Sequence, residues 1–157
     1  MDALQALSEW PVAAALRGSG IAYPLANAAH IASIGLLLGA IVALDLRLLG
    51  AFAPHPLAHL GPPLRRMATA GLVLAVATGL LLFTTRPVTY AQNPAFLAKL
   101  GFVGLGLLNA AALSRGAAWR EAVGGGRIHG RLRAAAAISL LIWPAAVVAG
   151  RWIGFLQ

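Results

Sequence analysis

IAYPLANAAHIASIGLLLGAIVALDLRLLG, residues 21–50, decides the fold class. Between Tyr23 and Asp45 there is no charged side chain, and Gly, Ala, Leu and Ile dominate. About 22 helical steps cover roughly 33 Å, against a bilayer hydrocarbon core of about 30 Å. Tyr23 stands where an interfacial aromatic belongs, and Asp45 and Arg47 close the other end. The stretch predicts a membrane-crossing helix over about 21–44.

Three further runs read the same way, over about 67–83, 94–113 and 132–153. Pro94 is a favourable first helical residue, and Pro144 inside the last run predicts a kink. Residues 50–63 hold four prolines and two histidines and read as a loop. Tyr90–Asn93 reads as a polar turn. Residues 114–129 read as a basic loop with a flexible hinge at Gly124-Gly125-Gly126. Residues 2–17 place Leu4, Leu7 and Trp10 on one flank and predict an amphipathic helix lying in the membrane interface. Asp2, Gln5, Ser8 and Glu9 break up any apolar core of a cleavable leader. The expected fold is therefore all-α, an integral membrane four-helix bundle forming one domain over 1–157, with an N-terminal interfacial helix.

Composition agrees. Of 157 residues, 60% are apolar and 10% charged, with mean hydropathy +0.82; soluble domains carry about 25% charged residues. The net charge is +8. Because the basic residues sit between apolar runs, they read as topology signals and contacts to anionic headgroups, not as a nucleic-acid surface. Arg47, Arg65, Arg66, Arg115, Arg120, Arg127, Arg131 and Arg133 flank the first and third connections; Arg17, Arg86, Lys99 and Arg151 lie at the other ends. That asymmetry places both termini in the periplasm of a bacterial inner membrane. The absence of cysteine excludes disulfides and thiolate chemistry.

Small residues let lipid-embedded helices approach closely. Ala28, Ala32, Gly35, Gly39 and Ala43 line one face of the first span and predict a packing seam, with Gly35 and Gly39 against a neighbouring backbone. Ala68, Gly71, Ala75 and Gly79 form a second seam. The third span offers Gly101, Gly104 and Ala110.

His30 is the polar residue closest to function. It lies opposite the first seam, and an imidazole facing lipid is costly, so it should point into the bundle or toward a second subunit. It could ligate haem b, hydrogen-bond a quinone, relay protons, or make an interhelical hydrogen bond near Asn27. A bis-histidine haem requires a second histidine at matching depth, whereas His55, His59 and His129 fall in the connections at the far end. Lys99 and Arg151 start from the same side as His30, so the three could converge on one pocket; each could equally snorkel to the interface. Asn109, in mid-span, needs an internal partner. Asp45 and Arg47, two apart, do not face each other on a helix and would pair with loop residues.

Tyr23-Pro24, His30-Ile31, Gly39, Asp45-Leu46-Arg47-Leu48-Leu49-Gly50, Asn93-Pro94-Ala95-Phe96, Lys99, Asn109, Trp143 and Gly150-Arg151 together resemble an uncharacterised family of small bacterial four-helix membrane proteins known as a domain of unknown function. The resemblance spans nearly the whole chain and implies the fold without an activity. The stretch from His30 to Gly39 is also loosely similar to copper-resistance and cytochrome-b-like membrane domains.

The function expected is a non-catalytic membrane subunit or accessory protein, redox-linked, with a haem- or quinone-type pocket formed by His30, Lys99, Arg151 and Asn27. The alternative is a small transporter with a polar path through His30, Lys99 and Arg151. No nucleophile–base pair, carboxylate pair or metal-ligand set is legible. The partners expected are the lipid bilayer, a membrane or periplasmic protein, or a second copy of the chain.

Overall fold

The computed structural model describes residues 2–156. They are helical, with no strand among them: α1 (Asp2–Ser8), α2 (Pro11–Gly18), α3 (Ala22–Leu49), α4 (Leu57–Thr85), α5 (Pro87–Gln92), α6 (Pro94–Arg115), α7 (Ala117–Val123), α8 (Gly130–Trp152) and a closing 3-10 turn, Ile153–Phe155. Helices α3, α4, α6 and α8 are each long and apolar enough to cross a membrane.

The four long helices stand in the order α4, α3, α8, α6: α3 packs on α4 and α8, and α8 packs in turn on α6. The central pair α3 and α8 is the most buried, and α6 the least. The N-terminal helices, α5 and the closing 3-10 turn lie at one end, the terminal end. The α3–α4 and α6–α8 connections lie at the other, which holds most of the arginines.

Helices α3 and α4 approach each other closely at Gly71. A Cβ on Gly71 would stand 2.6 Å from the Leu37 backbone nitrogen and 3.0 Å from the Ser33 carbonyl oxygen, so only glycine fits. Ala75, next along that line, is also buried. The line on α3 does the opposite of what its spacing predicts. Nothing lies within 4 Å of a Cβ built on Gly35 or Gly39, and Ala28 and Ala32 are exposed. The buried face of α3 is instead Ser33, Leu37 and Ala40, on the His30 side. The same holds on α6, where Gly101 and Gly104 are open. There Gly106 is the contact, its Cβ position 2.9 Å from the Trp143 indole, and Asn109 Nδ2 donates to the Ala135 carbonyl at 2.9 Å.

Several boundaries differ from the expectation. The N-terminal segment is two helices, broken at Trp10 because Pro11 lacks a backbone donor and opens a new helix. Helix α4 begins at Leu57, inside the stretch read as a loop, and runs through Pro62 and Pro63. The carbonyls those prolines leave without a helical donor belong to Ala58 and His59, in the first turn of the helix. The polar turn contains α5, and the basic loop contains α7. The three glycines cap α7: Gly124 N–H donates to Arg120 O, and Gly126 N–H to Glu121 O, both at 2.9 Å. Gly125 supplies the left-handed φ of +88° that the cap requires. Helix α8 begins at Gly130, two residues before the expected span, and includes Pro144.

A core of Leu48, Leu57, Trp119, Ala122, Leu132 and Ala136 closes the arginine-rich end. Arg47 is buried there and donates from Nε to the His55 carbonyl at 2.8 Å, the loop partner expected of it. At the terminal end, Asn93 caps α6 by accepting from the Ala95 and Phe96 N–H groups. Its Nδ2 donates to the carbonyls of Ile153 and Leu156. Arg17 fastens the N-terminal helices to the bundle, donating to Ser8 O at 2.6 Å and Thr85 O at 3.2 Å. Phe83, Tyr90 and Phe96 cluster beside this end.

Candidate functional site

Three of the four long helices contribute one polar side chain each to a half-buried cluster about two turns inside the terminal end. His30 comes from α3, Thr78 from α4 and Lys99 from α6. His30 Nδ1 lies 2.9 Å from Thr78 Oγ1, and Lys99 Nζ lies 3.5 Å from His30 Nε2.

The direction of these bonds follows from Thr78. Its hydroxyl has one proton, and it donates that proton to the Leu74 carbonyl at 2.6 Å, the back-bond a helical threonine commonly makes. Toward His30 the Thr78 oxygen therefore accepts, which puts a proton on Nδ1. In a neutral ring Nε2 is then the acceptor, facing the Lys99 amine. The result is a one-way chain from Lys99 Nζ through His30 and Thr78 to a backbone carbonyl.

Two glycines make the geometry accessible. The His30 ring lies over Gly79, its Cε1 3.1 Å from where a Cβ would stand, so a side chain there would push the imidazole off Thr78. The Lys99 stem crosses α8 at Gly150, with Cδ 3.3 Å and Nζ 3.6 Å from that glycine's Cβ position. Lys99 thus turns inward over a gap in α8 instead of extending to the interface.

The other two expected site residues stand apart. Arg151 is exposed, with its guanidinium 4.9 Å from the Phe155 ring centroid. Asn27 is exposed and makes no hydrogen bond with a described residue. Thr78 was not singled out from the sequence, although it is the only polar side chain in residues 70–83. Gly150 entered the sequence reading only beside Arg151 in the family resemblance, with no role attached to it.

A second polar position lies deeper on α3. Asp45, read as the charged end of the span, is buried at 4% exposure and faces the Ser139 hydroxyl of α8. Its Oδ2 has no hydrogen-bond partner among the described residues. No group of three or more His, Cys, Asp or Glu side chains among the described residues could hold a metal ion.

The class defined by these observations is an all-helical protein with four apolar helices of membrane-crossing length and one three-helix polar cluster. The chain matches no family model, no curated protein and no solved structure.

Proposed function

We propose that this chain is a multi-pass protein of the bacterial inner membrane, with both termini periplasmic, and that it acts as a non-catalytic subunit or accessory protein binding a quinone-type ligand at Lys99. The observation that carries this reading is the position of Lys99. An ammonium offers three donors; one is directed at His30 Nε2, and two remain for a ligand oxygen. His30 and Thr78 orient the amine.

The same geometry favours quinone over haem b. With His30 Nδ1 on Thr78 and Nε2 facing Lys99, neither imidazole nitrogen is free for iron unless Lys99 leaves. It also favours ligand binding over a transport path, because Arg151 turns to Phe155 and does not extend the polar line.

The test is the quinone content and absorption spectrum of detergent-purified protein, compared with Lys99→Met, which keeps the buried stem. The parent should carry extractable quinone, the variant should lose most of it while remaining helical, and neither should show a Soret band. A Soret band, or equal quinone in both proteins, contradicts the reading.

A further inference from the structure

At the arginine-rich end, an open groove of about 540 Å³ runs between α4 and α7, lined by Pro62, Arg65, Arg66, Thr69, Ala70, Trp119 and Val123. Its floor is fixed. Trp119 is buried, and its indole Cη2 lies 3.4 Å from the Cβ position of Gly61, which seats α7 against the first turns of α4. Its rim is not fixed. Arg65 and Arg66 are exposed, and neither guanidinium makes a hydrogen bond or ion pair with a described residue. The Thr69 hydroxyl is already spent on the Arg65 carbonyl at 2.9 Å.

Charge at this end is uncompensated. The chain has four acids. Asp2 and Glu9 belong to the N-terminal segment at the opposite end, and Asp45 is buried against Ser139. Glu121 is the one acid exposed nearby, and it is paired with His129 at 2.7 Å. Two adjacent cations are thus left without a counter-charge, above an aromatic floor.

The groove is also graded in polarity along α4. Below the arginines come Thr69 and Ala70, about 6 to 7 Å farther along the helix at about 1.5 Å per residue. Val73 and Leu80, exposed at 61% each, continue the same side of α4 toward the other end. Cationic forks at the rim, a tryptophan beside them and an apolar ridge beneath match one amphipathic shape: a phosphodiester with acyl chains. Arginine suits the phosphate because its planar fork binds two oxygens at once.

We propose that the α4–α7 groove is a specific site for an anionic phospholipid, with Arg65 and Arg66 holding the headgroup phosphate and the acyl chains lying along Val73 and Leu80. The proposal rests on the membrane reading above, which alkaline carbonate extraction tests separately: a chain washed out of membranes ends that reading whatever the groove binds.

The site itself is tested by native mass spectrometry of the full chain from micelles containing equal amounts of phosphatidylglycerol and phosphatidylcholine, and from lipid-free micelles with inorganic phosphate. The parent should retain phosphatidylglycerol over phosphatidylcholine by about tenfold or more, each basic residue near an anionic headgroup contributing a factor of several. R65Q/R66Q should lose that preference. R127Q/R133Q, at the separate basic groove formed by Arg127, Ile128, His129, Gly130 and Arg133, should keep it. Equal retention of the two lipids by the parent overturns the proposal without recourse to a variant. So does an unchanged preference in R65Q/R66Q, an equal loss in R127Q/R133Q, or retention of inorganic phosphate in place of lipid, which would mark a free-anion site.

Discussion

Helices α3 and α4 each carry a line of small residues at helical spacing, and the two lines have opposite fates. On α4 the line is an interface: Gly71 meets the Leu37 backbone, and Gly79 lies under the His30 ring. On α3 the line Ala28, Ala32, Gly35, Gly39 and Ala43 faces away from the rest of the chain, with open space at both glycines. The difference lies in what stands on the reverse of each helix. The reverse of the α3 line carries His30, whose imidazole would cost several kcal/mol in hydrocarbon without a partner. Close packing of small residues brings only dispersion and short backbone contacts, which are individually weak. A helix has one face to give to its main neighbour, and on α3 the polar face takes it.

Substitutions along the two lines should separate them sharply. The largest effect belongs to Gly71→Leu: with backbone atoms inside 3 Å of its Cβ, α3 and α4 must part, at a cost above the usual overpacking range of about 1–3 kcal/mol. Reversible unfolding in mixed micelles should find little folded protein. Gly106→Ala comes next, at about 1–3 kcal/mol, because the Trp143 ring 2.9 Å away is rigid and itself buried. Asn109→Ala removes the bond to Ala135 and should cost about 0.6 kcal/mol, the average for an interhelical hydrogen bond in a membrane protein. The smallest effect is expected for Gly35→Leu with Gly39→Leu. Nothing obstructs the new side chains, and leaving glycine in a helix interior gains up to about 1 kcal/mol per site, so the double variant should melt at or slightly above the parent. A loss of several kcal/mol there would erase the contrast between the two lines.

The four long helices were legible because span length and hydropathy are averages over some twenty residues, and no single side chain can overturn them. The shorter elements were not. Pro56, Pro62 and Pro63 read as loop because proline disfavours helix interiors, yet Pro56 stands just before the helix, and the carbonyls that Pro62 and Pro63 leave unpaired belong to its first turn. Asp45 reads as the end of a span for anyone counting charges, but its burial depends on Ser139 arriving from α8, about ninety residues away. At the site, His30 and Lys99 announced themselves as polar groups in apolar runs. Thr78 did not, since a helical threonine can satisfy itself on its own backbone; its second role exists only because Gly79 brings the imidazole within reach. Arg151 shares the end of the bundle with Lys99 but not its direction, and direction is not encoded in distance from a helix terminus.

The packed face of α3 is the His30 face, held by a one-way chain from Lys99 through His30 to Thr78. Nitrogen-15 NMR of the histidine-labelled protein in micelles at mildly alkaline pH, with His30 assigned by its loss in His30→Ala, tests this directly. The His30 ring should carry its proton on Nδ1 and leave Nε2 bare and hydrogen-bonded, and Thr78→Val should weaken that preference. A proton on Nε2, or an even mixture of the two tautomers, would contradict it.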